Sequence, residues 1–175
     1  MPEGNIIAEQ LQKEIDELLR FTGSDIFTPI AQVEKFLIFI IQGQFYTIPS
    51  RLISEVAVLD KAYPLPLLPD YVKGIINRYS SPYALIDIGL LILKTPTEGS
   101  KVVVLKETLD KLAFMIDDVV DIVDVPLAEV LKVEQGSETR DTTEVIESSF
   151  AWRHTNVLVL NIREIMNRIK SEFEV

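Results

Sequence analysis

The sequence contains no cysteine and a single histidine, His154. Without cysteine the chain has no disulfide, no thiolate ligand for a metal and no thiol nucleophile. One imidazole is too few for a multi-histidine metal site and disfavours most acid–base triads. Glycine is also scarce, with seven residues, and no glycine-rich phosphate loop occurs. These absences argue against an enzyme and predict no cofactor and no metal.

Basic residues are outnumbered, with 17 Lys and Arg against 27 Asp and Glu, a net charge of −10 and a pI near 4.6. Such a field repels phosphate backbones, so we expect no nucleic-acid partner. No apolar run reaches the roughly 20 residues needed to span a bilayer, so we expect no direct membrane insertion. The acidic start also lacks the pattern of a secretory signal. These features predict a cytoplasmic protein.

Short apolar runs separated by turn residues fill the chain from Phe36 onwards. Their spacing is typical of an all-β barrel or sandwich. The segments between them are too short for the helices of βαβ units. The predicted strands are FLIFII, QFYTIP, ISEVAVLD, GIINRY, YALIDIG, KVVVLKE, LAFMIDD, VVDIVDV and NVLVLNI.

Helical patterns occur at both ends. Residues 5–21 carry apolar side chains at helical spacing, and this helix either docks on the β core or binds a partner. Asn161 and Glu164 resemble a capping box that starts a C-terminal helix. Residues 22–34 are predicted to be an extended linker, and the polar stretch 134–149 a mobile loop.

Two clusters contain residue types that could carry chemistry. Asp117, Asp118 and Asp121 form a D-D-x-x-D pattern, but their Val and Ile neighbours favour a strand, in which the carboxylates diverge. The W-R-H-T segment at residues 152–155 groups an aromatic ring, a cation and the imidazole. It lacks a glycine-flanked nucleophile turn, so packing is the better interpretation.

A family resemblance emerges from the order of several motifs. An Ile-x-Glu-Val element at Ile53 is followed by Pro-x-Tyr-Val-Lys-Gly at 69–74 and by Leu-Ile-Asp-Ile at 85–88. Val-Asp-type strands around Asp118 and a final strand and helix follow. In this order, across about residues 35–170, the chain resembles the CheW-like domain, the coupling protein of bacterial chemotaxis.

The resemblance implies a mainly β fold of two small five-stranded β-barrel subdomains packed together, with N-terminal and C-terminal α-helices. It implies an N-terminal helix and linker at 1–33, a first barrel at 34–93 and a second at 97–152. The last strand and C-terminal helix, 153–175, would pack on the first barrel.

The segment Asn77-Arg78-Tyr79-Ser80 departs from the family pattern Asn-Leu-Arg-Gly. The family arginine is a natural partner for a glutamate at the position of Glu55, and Tyr79 stands in its place. Tyr79 can offer only a hydroxyl hydrogen bond. Arg78 would face the other side of a regular strand and would need a bulge to reach Glu55. We expect Glu55 to be exposed or hydrogen-bonded.

In function, the resemblance implies a non-enzymatic scaffold. It would link the regulatory domain of a CheA-type histidine kinase to the cytoplasmic hairpin tips of chemoreceptors. The implied receptor contacts are Ile53, Val120 and Val123, and the implied kinase contacts are Glu55 and Tyr79. An adaptor of another chemosensory-type pathway, such as surface motility, is the alternative.

Overall fold

The computed structural model describes residues 10–17, 31–133 and 144–173, which form two compact units. In the first unit, residues 10–17 form helix α1, within the predicted span of 5–21. The rest of that span and most of the predicted linker lie outside the described residues. Leu11 and Ile15 sit one turn apart on α1, so they share one helix face.

The described residues of the second unit, Val33–Val175, form eleven strands and two α-helices. Nine of the strands coincide with the predicted apolar runs. Two strands and a short helix at residues 88–93 were not predicted. The strands are β1 Val33–Ile41, β2 Gln44–Pro49, β3 Ile53–Val58, β4 Val72–Arg78, β5 Ser81–Asp87, β6 Lys101–Leu105, β7 Leu112–Ile116, β8 Asp118–Pro126, β9 Leu131–Lys132, β10 Ile146–Trp152 and β11 Thr155–Leu160; the helices are α2 Ile88–Leu93 and α3 Ile162–Phe173.

The strands form two sheets, which confirms the predicted mainly β class. The first sheet has the order β8-β1-β2-β11-β10-β9 and the second the order β3-β6-β7-β5-β4. In the described residues, no ladder joins the two edges of either sheet, so the sheets are not closed barrels. The second sheet contains the five strands that follow β2 and precede β8 in the chain, β3 to β7. Both segments predicted as barrels, 34–93 and 97–152, contribute strands to both sheets.

Three apolar clusters fill the structure. The central cluster lies between the sheets and includes Phe39 and Tyr46 from the first sheet and Phe114 from the second. A second cluster, with Phe36 and Phe150, lines the other face of the first sheet. A third, with residues such as Leu85, lines the other face of the second sheet. Each sheet is therefore apolar on both faces, which explains why its strands read as nearly continuous hydrophobic runs.

Helix α3 packs into the central cluster through Ile162, Ile165 and Ile169. It begins as predicted, because the Asn161 side chain accepts a hydrogen bond from the Glu164 backbone N–H at 3.2 Å.

The prediction of a mobile loop at 134–149 is wrong for residues 146–149, which form a strand. Residues 134–143 lie outside the described residues, but β10 begins at Ile146 and pairs with β11. Ser148 is buried in this strand. The composition of the segment is polar, yet pairing between β10 and β11 satisfies its backbone and overrides that composition.

Asp87 is a buried carboxylate that joins β5 to the next two segments. Its side chain accepts hydrogen bonds from the Leu90 backbone N–H at 3.1 Å and from the Thr97 hydroxyl at 2.6 Å. The Thr97 backbone N–H donates to it as well, at 3.1 Å. Asp87 thus caps α2, as expected of a residue that ends a strand before a turn, and it also holds the chain that leads to β6.

We predict that Asp87→Ala lowers the free energy of unfolding by about 3 kcal/mol, because several buried donors lose their acceptor. Urea denaturation of the two proteins measures this. Asp124→Ala is the matched control, since Asp124 forms an exposed ion pair with Lys35. That control should change stability by less than about 1 kcal/mol. Equal losses in both variants would contradict a structural role for Asp87.

Candidate functional site

The candidate site lies where the two edge strands of the second sheet, β3 and β4, approach each other. Along β3 the side chains of Ile53, Glu55 and Ala57 are half-buried, whereas Ser54, Val56 and Val58 are exposed. This alternation follows from the pleat of the strand. It places the Glu55 carboxylate on the inward-facing side of an edge strand.

A two-residue hairpin brings the partners of Glu55. Arg78 ends β4 and pairs with Ser81 at the start of β5, so Tyr79 and Ser80 are the two turn residues. Both have positive φ, at 50° and 62°. Positive φ at both central residues is the signature of type I′ hairpin turns, which match the twist of the flanking strands. Glycine and asparagine usually occupy such positions, so this turn is strained for the residues it contains.

Arg78 and Tyr79 together bind both oxygens of the Glu55 carboxylate. The Arg78 Nε donates to Glu55 Oε1 at 2.6 Å, and the Tyr79 hydroxyl donates to Glu55 Oε2 at 3.0 Å. The guanidinium carbon of Arg78 lies 5.9 Å from the centre of the Tyr79 ring. We call these three residues the Glu55 clasp. Because Tyr79 is 81% exposed, the clasp presents an aromatic ring on the surface.

The clasp matches the sequence expectations in part. Glu55 is hydrogen-bonded, as expected, and the Tyr79 hydroxyl, which was not expected to reach it, is one of its two donors. Arg78 does form the ion pair. A register shift between Ile53 and Glu55 in the β3–β6 ladder supplies an irregularity of the kind that was required. Tyr79 reaches the same carboxylate because it belongs to the turn and not to the strand.

Electrostatics follows from this geometry. The hydrogen bond from Arg78 holds the pKa of the Glu55 carboxyl below its usual range. Partial burial acts to raise this pKa, and the hydrogen bond from Tyr79 acts to lower it. The carboxylate in turn raises the pKa of the Tyr79 phenol, mainly through their hydrogen bond. The clasp is therefore charged and fully formed at neutral pH.

The other predicted contact residues lie elsewhere. Ile53 packs against the central cluster, at the start of β3. Val120 and Val123 lie on β8 and pack against the cluster of the first sheet. Val120 falls in a bulge, since Ile38 pairs with Asp121 and Phe39 with Val119. The structure thus brings Glu55 and Tyr79 together in the clasp. Ile53, Val120 and Val123 are not part of the clasp.

A groove of about 540 Å³ runs beside the start of α3. Its lining includes the apolar residues Leu52, Leu109 and Met166 and the charged residues Arg51 and Glu164. Leu52 directly precedes Ile53 in the chain. Such a mixture suits an amphipathic helix, which offers apolar side chains on one face and polar ones beside them.

The three acidic residues of the D-D-x-x-D pattern have separate structural roles. Asp117 accepts backbone N–H bonds from Gln42 at 2.6 Å and Glu98 at 2.8 Å. Asp118 pairs with Lys101, and Asp121 with Arg153. Across residues 10–17, 31–133 and 144–173, no group of three His, Cys, Asp or Glu side chains could hold a metal ion.

The first sheet has an ion pair similar to the Glu55 clasp, which sequence reasoning missed. The hairpin between β10 and β11 turns at Arg153 and His154, both with positive φ. Arg153 lies 4.5 Å from the centre of the Trp152 ring and 3.4 Å from the carboxylate of Asp121 on the edge strand β8. The signal was present in the sequence, because W-R-H-T and R-Y-S-S both combine an arginine and an aromatic residue at a two-residue turn.

Comparisons with known proteins agree with this architecture. A family model described as a CheW-like domain matches residues 35–170. The solved structure of the scaffolding protein TtCheW from Thermoanaerobacter tengcongensis is similar, with a TM-score of 0.66 and 14% sequence identity. The likeness covers 74% of this chain and 90% of that one, and at this identity it concerns the fold alone. No curated protein matches the chain. Within the described residues, no helix is long and apolar enough to cross a membrane.

We predict that the clasp makes stability depend on pH. The pKa of Glu55 is lowered on folding, so its contribution is complete above the usual glutamate range. It is lost as the pH falls through the lowered pKa of the folded protein. The wild type should therefore exceed Glu55→Gln in free energy of unfolding at pH 7, and the difference should shrink in acid. Urea denaturation at several pH values measures it. A difference that grows in acid would contradict the clasp.

Proposed function

Because the chain belongs to the CheW-like domain family, whose members are non-catalytic scaffold proteins, we propose that it links two signalling proteins in the cytoplasm. One partner is the regulatory domain of a CheA-type histidine kinase, and the other is the hairpin tip of a chemoreceptor. The observation that carries this proposal is the Glu55 clasp, an ion pair and a hydrogen bond on one carboxylate that hold an exposed aromatic ring at the surface.

The clasp is the proposed kinase contact. Its ion pair fixes the hairpin, and the hairpin holds the Tyr79 ring at the surface in one orientation. Tyrosine is favoured at protein interfaces because it buries a large apolar area at a small cost in side-chain entropy. The adjacent β3 strand adds two exposed apolar residues, Val56 and Val58. Because side chains alternate along the strand, these valines lie on the face of β3 opposite to Glu55 and extend the apolar surface of this edge.

The receptor contact is proposed at a different place. Ile53, Val120 and Val123 are half-buried, so each offers part of its surface to a partner. The groove beside α3 is lined by Leu52, the chain neighbour of Ile53, and combines apolar with charged side chains. A receptor hairpin tip consists of amphipathic helices, which bind such grooves through apolar side chains at helical spacing. Separate surfaces for kinase and receptor are what a bridging scaffold requires.

An adaptor of another chemosensory-type pathway is the second candidate. The observation that favours it is the exchange at the hairpin tip. The family arginine is a charged group at that position, whereas Tyr79 presents a neutral ring, and the arginine has moved to the preceding residue. A partner selected by this ring differs from one selected by a guanidinium group.

We predict that the purified protein binds the kinase regulatory domain and that Tyr79→Ala weakens this binding at least tenfold, about 1.4 kcal/mol. The ring is exposed, so the variant should remain folded. Isothermal titration calorimetry measures the affinity. The control is Glu129→Ala, an exposed position in the connection between β8 and β9. This variant should bind as the wild type does. If Tyr79→Ala binds normally, the clasp is not the kinase contact.

Receptor binding should respond to a different substitution. We predict that Ile53→Ala weakens binding of a receptor hairpin-tip fragment several-fold and leaves kinase binding unchanged. Leu131→Ala, an exposed apolar truncation on β9, is the control. Urea denaturation of each variant separates lost contact from lost stability. Binding of wild-type protein to the kinase domain but to no receptor fragment would favour the alternative pathway.

A further inference from the structure

The opening between β3 and β4 is held at both ends. At one end lies the Glu55 clasp. At the other end, the Tyr63 and Ile75 backbones exchange two hydrogen bonds, at 2.8 and 2.9 Å. Between these two closures the chain that continues from β3 diverges from β4. We call this opening the seam of the second sheet.

Gly74 keeps the far end of the seam closed. Its φ is +125°, a conformation that side chains rarely adopt, and a Cβ there would lie 2.1 Å from the Tyr63 carbonyl oxygen. Glycine is therefore required for the two backbones to approach. The Tyr63–Ile75 bridge therefore depends on glycine at position 74.

A pocket of about 200 Å³ opens in the middle of the seam. Val58, Ile76 and Val102 give it an apolar lining, while Lys61, Asn77 and Arg78 supply polar groups. Ile76 and Val102 belong to the third cluster, on the face of the second sheet that points away from the central cluster. The pocket has room for one bulky side chain, and it adjoins the clasp because Arg78 belongs to both.

Lys61 is an exposed cation in the lining of this pocket. It forms no ion pair within the described part of the chain, and its ammonium group lies 4.8 Å from the centre of the Tyr63 ring. The neighbouring Asp60 also lines the pocket, but it does not pair with Lys61. A free ammonium beside an apolar pocket, on a chain with a net charge of −10, is suited to an acidic group of a partner.

The backbone of Asn77 is available too. Ile75 gives both its backbone groups to Tyr63, so those groups point away from β5. Residues two apart on a strand point the same way, so the Asn77 N–H and C=O also face the seam. In the described ranges no backbone hydrogen bond reaches them from that side. They can pair with the backbone of an incoming segment.

We propose that the seam pocket receives an anchor from the kinase regulatory domain, namely a bulky apolar side chain followed closely by an acidic residue. The apolar side chain fills the space above Ile76 and Val102, the acidic residue pairs with Lys61, and the segment's backbone bonds to Asn77. This inference rests on the proposed function, since it takes the kinase domain as the partner. It adds the chemistry of the segment that the kinase domain must present.

Two variants test the pocket by calorimetry against the kinase regulatory domain. Lys61→Glu reverses the charge that the acidic residue would meet, and Val58→Trp fills the pocket from an exposed position. Each should weaken binding at least tenfold. Lys132→Glu and Leu131→Trp make the same changes on exposed positions of β9 in the first sheet. These controls should bind within twofold of the wild type.

The outcomes separate the pocket from the proposed function. If the wild type binds, Tyr79→Ala weakens binding and both pocket variants bind normally, the pocket inference is overturned while the scaffold function stands. If the wild type does not bind the kinase domain at all, the proposed function fails and this inference fails with it. Loss in Lys61→Glu that is restored by Lys or Arg at the acidic position of the kinase segment would establish the pairing.

Discussion

The packing of the two sheets on one shared apolar cluster is the constraint on which the rest of the structure depends. Phe39 and Tyr46 from the first sheet meet Phe114 from the second, and Ile165 of α3 fills the space beside them. All four are almost completely buried. Burial of each such side chain stabilises the fold by about 2 kcal/mol. This cluster fixes the orientation of the sheets, and so it fixes where their edges and hairpin tips are presented.

The edges of the sheets are where the chain differs from a pair of closed barrels. Within the described residues each sheet is open, and in each an arginine from a two-residue hairpin pairs with a carboxylate on an edge strand. An ion pair between side chains closes such an edge and leaves the backbone N–H and C=O groups of the strand unpaired. Such a seam is ordered enough to present a surface and still has backbone groups and pocket space for a partner.

Much of the fold could be predicted from sequence, because both sheets are apolar on two faces and their strands stand out as continuous runs. The pairing of strands that lie far apart in the sequence could not be predicted. Local patterns do not reveal that β8 pairs with β1, or that polar residues such as Ser148 belong to a strand.

The candidate site shows the same limit at the level of single residues. Adjacent residues of a strand face opposite sides, so Arg78 and Tyr79 were not expected to share one carboxylate. They do so because the strand ends at Arg78 and Tyr79 turns with positive φ. The glutamate and its need for a donor could be read from sequence, whereas the donor that satisfies it depends on where the turn begins.

The central claim is that the clasp and seam of the second sheet form the kinase-binding surface. The most direct test is to titrate the isotopically labelled protein with the unlabelled kinase regulatory domain and to follow its backbone amide signals by NMR. The account predicts that the signals of the hairpin at Arg78–Ser81 and of β3 shift or broaden first, while those of β9 and the start of β10 stay unchanged. Changes confined to β9 and β10, with the hairpin signals unaffected, would contradict it.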